Sequence, residues 1–219
     1  MQQLAIDTHE AGGGAPAIVR LGPGTVVLPG FALARADALA AQLGPVVDAA
    51  PWRHMVTPGG HPMSVAMTNC GALGWVSDPS GYRYQPADPL GGRPWPPMPP
   101  AFRELARAAA EVAGWPGFEP DACLVNRYAP GARLTLHQDR NEADFSAPIV
   151  SVSLGVAATF LLGGARRRDP VRRVPLVHGD VMVWGGTDRL RHHGVAPLRT
   201  GWHECFGACR INLTFRRAA

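Results

Sequence analysis

The sequence predicts a mainly β protein with flanking helices. Between residues 121 and 217, eight short apolar segments follow one another, with Gly, Pro or Asp between them, and two helical patterns precede this region. Short strands at such regular spacing are typical of an antiparallel sandwich or barrel. The segments are ACLVNRY, RLTLHQD, PIVSVSLG, ATFLLG, VPLVHG, VMVWGG, RHHGV and RINLTFR.

The N-terminal half has a different character. Residues 1 to 25 are rich in Gly and Ala and are expected to be mobile at their start. A helical pattern covers 32 to 43 and is predicted to end at Gly44-Pro45. From 51 to 100 the sequence predicts short strands and loops. A linker is disfavoured, because the aromatic side chains of Trp75, Tyr82, Tyr84 and Trp95 are costly to leave in water. A second helix is predicted over 101 to 114, which ends in glycine.

The composition describes a globular chain with one core. Of its 219 residues, 46% are hydrophobic and 17% are charged. No apolar run approaches the length needed to cross a bilayer, and no secretory leader is recognisable. We therefore expect a cytoplasmic monomer without a membrane partner. The four cysteines are too few and too scattered for a disulfide scaffold and are expected to be reduced thiols. Cys205 and Cys209 with His203 would form only half of a zinc site.

The positive charge is concentrated in one segment. The net charge is +4, and all 21 basic residues are arginine. Five of them lie in ARRRDPVRR, within residues 166 to 173, and Arg140, Arg189 and Arg191 are candidates to join them in space. Such a loop could follow the phosphate backbone of a nucleic acid. A solvated loop without a partner fits the composition equally well.

The stretch LTLHQDRNEADF indicates a metal site. His137 and Asp139 would project to the same face of a strand, and one histidine with one carboxylate makes two thirds of the facial triad of non-haem Fe(II) oxygenases. The same spacing in His178-Gly179-Asp180 favours a tight turn instead, with Asp180 bonded to local amides. The third ligand is expected from His192-His193, and alternation lets only one of the two face the interior.

The last strand indicates a co-substrate. Arg210, Asn212, Thr214 and Arg216 share one face of RINLTFR. A buried arginine must be paired, and this strand contains no acidic residue. A dicarboxylate ligand would supply the missing charge through bidentate contacts, which indicates 2-oxoglutarate.

At this point the residues resemble those of the AlkB family of Fe(II)- and 2-oxoglutarate-dependent DNA repair dioxygenases. The resemblance covers roughly residues 50 to 217, and the first 50 residues match loosely. It implies a double-stranded β-helix (jelly-roll) core over 116–219, a nucleotide-recognition lid with a supporting helix over 51–115, and an N-terminal extension over 1–50 whose helix packs on the core. The motifs that carry it are MVTPGG, MSVAMTNCG, LGW, DACLVNRYAPGA, LHQD, PIVSVSLG, HGDVMVWGG, HHG and RINLTFR.

The family pattern also implies three groups of site residues. Fe(II), the catalytic metal, would be held by His137, Asp139 and His193. The 2-oxoglutarate contacts would be Asn126, Tyr128, Arg210, Asn212 and Arg216. The contacts to the base and the strand would be Thr57, Met63, Ser64, Trp75, Tyr82, Arg83, Tyr84, Asn141, Glu142 and Arg167.

The implied activity is the oxidative removal of N-alkyl groups from the Watson–Crick edge of bases. N1-methyladenine and N3-methylcytosine in DNA, preferably single-stranded, would be repaired with O2 and 2-oxoglutarate, releasing succinate, CO2 and formaldehyde. A base reached in this way must be flipped out or unpaired, and it would stack on Trp75 and against His137. One departure is Asn141, where the family can carry a carboxylate, while Glu142 is retained.

Two alternatives remain open at this stage. One keeps the iron chemistry but changes the substrate to RNA, a protein or a small molecule. The other is a non-catalytic nucleic-acid binding module on the same scaffold.

Overall fold

The computed structural model describes residues 17–219. They form three antiparallel sheets of eight, four and two strands, together with two α-helices. The helices are α1 (Ala36–Ala49) and α2 (Pro100–Val112). The strands are β1 (Val19–Gly22), β2 (Thr25–Leu28), β3 (Arg53–Val56), β4 (Pro62–Gly71), β5 (Gly74–Asp78), β6 (Gly81–Gln85), β7 (Ala122–Tyr128), β8 (Leu134–His137), β9 (Ile149–Gly155), β10 (Ala158–Leu162), β11 (Arg172–Leu176), β12 (Val181–Trp184), β13 (His193–Val195) and β14 (Arg210–Arg216).

The two larger sheets make a double-stranded β-helix, or jelly roll. The major sheet has the order β1-β2-β12-β9-β14-β7-β4-β3, and the minor sheet has the order β11-β10-β13-β8. From β8 onward the chain passes repeatedly between the two sheets, as a jelly roll requires. All eight segments predicted as strands form strands, β7 to β14. The prediction of a mainly β fold with flanking helices is confirmed.

The major sheet separates an apolar layer from a polar interior. On β14, Ile211, Leu213 and Phe215 pack in the core that contains the buried side chains of α1 and α2. The intervening residues Asn212 and Thr214 point to the opposite face, toward the minor sheet, and line a cavity there. Strand alternation therefore places a row of polar side chains inside the jelly roll.

Helix α1 differs from its prediction. It does not end at Gly44-Pro45 but continues to Ala49. Proline disfavours the helical conformation of the residue before it through a clash with that residue's Cβ, and Gly44 has none. Pro45 also leaves the carbonyl of Ala41 without its helical donor, but Ala41 is exposed and water can take that place.

Helix α2 agrees with its prediction. Pro100 occupies the first turn, where its missing N–H is not needed. Gly114 follows the helix with φ +95°, a left-handed conformation that suits glycine after a helix end.

The start of the described chain was not predicted. Residues 1–25 were expected to be mobile at their start, and of these residues 1–16 lie outside the described part of the chain. Residues 19–28 form the hairpin β1–β2, and Val26 and Leu28 are buried in the core. The hairpin extends the major sheet beyond β12.

The three-part division into 1–50, 51–115 and 116–219 stays a prediction. The first two parts contribute β1 to β4 to the major sheet, whereas β5 and β6 form a separate hairpin. All four cysteines are free thiols. Within residues 17–219, no helix combines the length and the apolar composition that a membrane span needs.

Candidate metal centre

Two histidines and one aspartate from distant parts of the chain converge. His137 ends β8, Asp139 lies two residues further on, and His193 begins β13. Because β13 pairs with β8 in the register His193–His137, the two imidazoles are neighbours. The Nε2 atoms of His137 and His193 lie 3.7 Å from Oδ1 and Oδ2 of Asp139, respectively. Within residues 17–219, these three side chains form the one group of His, Cys, Asp or Glu residues that could hold a metal ion.

Each imidazole is oriented by the main chain. Nδ1 of His137 lies 2.8 Å from the carbonyl oxygen of Thr135, and Nδ1 of His193 lies 3.0 Å from that of Arg191. Donation from Nδ1 leaves the lone pair of Nε2 free for a metal. Burial lowers the pKa of His193 to about 4, so its imidazole is neutral and able to ligate at pH 7.

Asp139 is held as a carboxylate by an arginine. Burial by itself would raise the pKa of Asp139, but the adjacent guanidinium of Arg216, together with the two imidazoles, outweighs burial and lowers the pKa. Arg216 donates to Oδ2 of Asp139 from Nη2 at 2.6 Å and from Nε at 3.0 Å. Asp139 lies beyond the end of β8, so strand alternation alone does not explain its orientation.

The other candidate ligands stand elsewhere. Nδ1 of His192 lies 3.4 Å from the carbonyl oxygen of Gly164, outside the triad. Asp180 accepts hydrogen bonds from the backbone N–H groups of Gly30 and Val177, which is the turn structure predicted for it. His203, Cys205 and Cys209 do not form a metal-binding group in the part of the chain that the structure describes.

The two arginines of β14 differ in their partners. The expectation that a ligand supplies the charge missing from this strand does not hold for Arg216, which is paired with Asp139 and also lies 3.3 Å from Oε1 of Glu142. The reason is that its partners come from the loop after β8, which the composition of the strand could not reveal. Arg210 fits the prediction: it has no acidic partner among the described residues.

Arg210 is a buried cation with unused donors. Its side chain is 1% exposed, and its Nη2 donates to Oγ of Ser153 at 2.9 Å. The guanidinium carbon lies 5.1 Å from the centre of the Tyr128 ring. Within residues 17–219, its Nε and Nη1 atoms have no hydrogen-bond partner, and neither does the buried Oδ1 of Asn126. Burial lowers the pKa of Arg210, and a bound anion would counter that cost.

A cavity of about 560 Å³ opens next to the triad. It lies between the two sheets and reaches the hairpin β5–β6 and the loop before β4. Its walls include the three triad residues and most of the predicted site residues: Asn126, Tyr128, Asn212, Arg216, Thr57, Met63, Ser64, Trp75, Tyr82 and Asn141.

Four predicted substrate contacts do not line this cavity. Nη2 of Arg83 forms a salt bridge with Asp78 at 2.8 Å, within the hairpin. The hydroxyl of Tyr84 donates to Glu142 at 2.9 Å, so these two side chains bind each other. Arg167 donates from Nη1 to the carbonyl oxygen of Leu136 at 2.6 Å, one residue before His137. Their predicted roles toward substrate stay predictions.

The expected arginine cluster is smaller than the sequence indicated. Arg166, Arg167 and Arg168 are exposed in the loop after β10. Arg189 does not join them, because it is 2% exposed and points to the loop after Asp139. Arg191 is half-buried: its Nε donates to the carbonyl oxygen of Gly163, just before this loop, and its Nη1 donates to Asp188.

Trp75 is fixed at the cavity by two asparagines. The side chain of Asn69 donates to the carbonyl of Trp75 and accepts from its N–H, both at 3.0 Å. The indole Nε1 donates to Oδ1 of Asn141 at 3.2 Å. The rings of Trp75 and Tyr82 stack with centres 5.6 Å apart. The sequence analysis did not single out Asn69, which is fully buried. The usable signal was an amide within the largely apolar stretch MSVAMTNCG, because a buried amide needs hydrogen-bond partners.

The residues present fit iron and a dicarboxylate. Two imidazoles and one carboxylate are the ligand set that leaves open positions on non-haem Fe(II). Arg210 does not itself line the cavity, but it lies against Tyr128, which does, and its unpartnered N–H groups suit a carboxylate.

Comparisons with known proteins agree with this geometry. The family model of the 2OG-Fe(II) oxygenase superfamily matches residues 24–216. The alpha-ketoglutarate-dependent dioxygenase AlkB of Salmonella typhimurium is 57% identical over 91% of this chain and 92% of its own length. That of Escherichia coli is 55% identical over 90% and 92%. The solved structure of OsALKBH1 has a TM-score of 0.77 and 27% identity, covering 92% of this chain and all of that one.

Proposed function

Because the chain belongs to the 2OG-Fe(II) oxygenase superfamily and is similar to AlkB dioxygenases over most of its length, we propose that it oxidatively removes N-alkyl groups from nucleic-acid bases. It is an Fe(II)- and 2-oxoglutarate-dependent dioxygenase that uses O2. The observation that carries the substrate proposal is the position of Trp75 and Tyr82 on the same cavity as the triad.

His137, Asp139 and His193 would hold the Fe(II). Bound iron, 2-oxoglutarate and O2 would together supply the oxidation of an N-methyl carbon: one oxygen atom of O2 would enter succinate and the other formaldehyde, with CO2 and the repaired base as the other products. The chain's own part is to bind, orient and exclude water. Arg216 keeps Asp139 ionised and oriented through its two hydrogen bonds.

The 2-oxoglutarate would lie between the triad and Arg210. The free Nε and Nη1 groups of Arg210 can bind its distal carboxylate in a bidentate manner. Burial raises the pKa of Tyr128 to about 12, so its hydroxyl keeps its proton at pH 7 and can donate to the same carboxylate. Asn126 and Asn212 line this side of the cavity, and Arg216 stands nearest the metal end.

The substrate base would enter from the side of the hairpin β5–β6. A flipped base could stack on Trp75 and against His137, which both line the cavity. For N1-methyladenine or N3-methylcytosine, which are cations, contact with the indole face contributes about 0.5–2 kcal/mol. Thr57, Met63 and Ser64 line the same opening and would contact the flanking nucleotides.

The strand itself would follow the exposed arginine loop. Arg167 is bonded to Leu136, directly beside the triad, so a phosphate bound there would lie close to the flipped base. DNA and RNA offer the same phosphate chemistry to the loop.

Asn141 bears on which bases are preferred. Glu142 is already bound by Tyr84, Arg189 and Arg216. Asn141, the neighbouring side chain that does line the cavity, is neutral and accepts from Trp75. We infer a weaker preference for cationic bases than a carboxylate at position 141 would give.

A panel of modified oligonucleotides tests the proposed function. Formaldehyde and succinate are measured with N1-methyladenine and N3-methylcytosine in single-stranded DNA, duplex DNA and RNA, with Fe(II), ascorbate and 2-oxoglutarate present. We expect formaldehyde in stoichiometric ratio to succinate, at the highest rate with single-stranded DNA. A higher rate with RNA would change the substrate, and oligonucleotide binding without formaldehyde would favour a non-catalytic binding module.

A further inference from the structure

The loop that carries Asp139 has little structure of its own. Residues 138–148 join β8 to β9 without a helix or strand. Within residues 17–219, this loop makes one hydrogen bond between main-chain atoms. The N–H of Ala143 donates to the carbonyl oxygen of Ala218 at 3.0 Å. A metal ligand in such a segment needs other support to stay in position.

Arg189 supplies that support at several points of the loop. Its Nη1 donates to the main-chain carbonyl of Asp139 at 3.1 Å, and its Nε donates to that of Ala147 at 3.1 Å. Its Nη2 lies 3.3 Å from Oε2 of Glu142, and its guanidinium carbon lies 5.3 Å from the centre of the Phe145 ring. One side chain thus spans the loop from its metal ligand to its end.

The base of Arg189 is itself anchored. It follows a 3-10 turn, Gly186–Asp188, and its N–H donates to the carbonyl of Gly186 at 3.1 Å. The buried carboxylate of Asp188 accepts from Gly24 N–H at 2.9 Å and from the hydroxyl of Thr25 at 2.7 Å. These bonds tie the turn to β2 of the major sheet. The backbone of Arg189 is therefore held in place by the sheet while its side chain bonds the loop.

Two arginines therefore act on one ligand in different ways. Arg216 contacts the carboxylate of Asp139, whereas Arg189 contacts its main chain. We propose that Arg189 is a positioning residue for the metal centre: it holds the 138–148 loop so that Asp139 meets both imidazoles. The inference rests on the proposed assignment of His137, Asp139 and His193 as metal ligands, and it is independent of the substrate.

The test is metal affinity measured apart from turnover. Arg189→Met keeps the apolar length of the side chain and removes all its donors. The dissociation constant for Mn(II) in the presence of 2-oxoglutarate is measured by titration with paramagnetic resonance detection. We expect it to rise about ten- to a hundredfold, the usual effect of losing a side chain that orients a metal ligand. A change below threefold overturns the inference.

Two controls separate positioning from general destabilisation. Arg53→Met removes another largely buried arginine, which is paired with Asp88; neither residue lines the cavity, so the change should lower the melting temperature without changing Mn(II) affinity. In the unaltered protein the guanidiniums of Arg189 and Arg216 balance the carboxylates of Asp139 and Glu142. Arg189→Met with Glu142→Gln restores that charge balance, so stability should recover while Mn(II) affinity stays low. Recovery of both together would contradict a positioning role.

His137→Ala separates this inference from the ligand assignment. It should abolish Mn(II) binding. If it binds Mn(II) like the unaltered protein, the ligand assignment is wrong and the inference falls with it. If it loses binding while Arg189→Met keeps it, the ligand assignment stands and the role of Arg189 alone is refuted.

Discussion

Replacing Arg210 by methionine should weaken 2-oxoglutarate binding strongly and leave the free protein nearly as stable as before. Two donor atoms of this buried guanidinium are unpaired, and each costs about 1–3 kcal/mol in the free protein. Against this, methionine loses the contact with the Tyr128 ring, about 0.5–2 kcal/mol, and the charged hydrogen bond to Ser153, about 1.5–3 kcal/mol. The opposing contributions nearly cancel, so the free energy of unfolding should change by about 1 kcal/mol or less.

Co-substrate affinity should respond differently. Removing one partner of a buried, hydrogen-bonded charge pair costs about 2–5 kcal/mol, which is about 30- to 4000-fold in the dissociation constant. Calorimetric titration of 2-oxoglutarate into the Mn(II)-loaded protein measures this, and urea unfolding without 2-oxoglutarate measures stability.

Arg216 on the same face of β14 is the matched control. Arg216→Met leaves Asp139 and Glu142 buried without their shared cation, so the free protein should lose about 3–5 kcal/mol of stability. If Arg210→Met destabilises the free protein as much as Arg216→Met does, Arg210 has an unrecognised partner. If Arg210→Met binds 2-oxoglutarate within threefold of the unaltered protein, the proposed co-substrate site is wrong.

Three further predictions address the metal, the base and the ion pair between Arg53 and Asp88. His137→Ala should abolish succinate formation even with substrate present; undiminished turnover would reject this ligand. Asn141→Asp should raise the ratio of rates on N3-methylcytosine over a neutral etheno adduct by about tenfold, since a carboxylate attracts a cationic base; an unchanged ratio would remove residue 141 from base selection. Asp88→Asn should lower the free energy of unfolding by about 1 kcal/mol at pH 7. Its partner Arg53 lowers the pKa of Asp88, so the contribution is complete above the unfolded pKa of about 4 and is lost as the pH falls through the lower folded value. Urea unfolding at pH 7, 5 and 3 should show the difference from the unaltered protein shrinking at pH 3 alone.

Features that depend on local chain geometry could be predicted from the sequence. The alternation along β14 correctly placed Asn212, Thr214 and Arg216 on the cavity side, because side-chain direction in a strand follows from residue parity. The turn at Asp180 was likewise predictable from the glycine before it. By contrast, the end of α1 was predicted wrongly, because Gly44 removes the steric conflict that usually ends a helix before proline.

Features that depend on register or on irregular loops could not be predicted from the residues alone. The strand pattern left His192 and His193 open, because the choice depends on the pairing of His193 with His137 across two strands. Arg189 was named as a candidate for the basic cluster, whereas it bonds residues 42 and 50 positions away in a loop without periodicity. No local pattern marks such a contact.

The hairpin β5–β6 is joined to the rest of the molecule mainly by side chains. Apart from the single bridge between Leu73 and Ala122, Asn69 bonds the main chain of Trp75, and Ser77 bonds the carbonyl of Val56. A two-stranded hairpin is only marginally stable by itself. Its amide hydrogens should therefore exchange with solvent through local opening, far sooner than those of β9 or β14. Because β5 and β6 form a separate sheet, the hairpin could move to admit bases of different size without breaking hydrogen bonds between strands of the jelly roll.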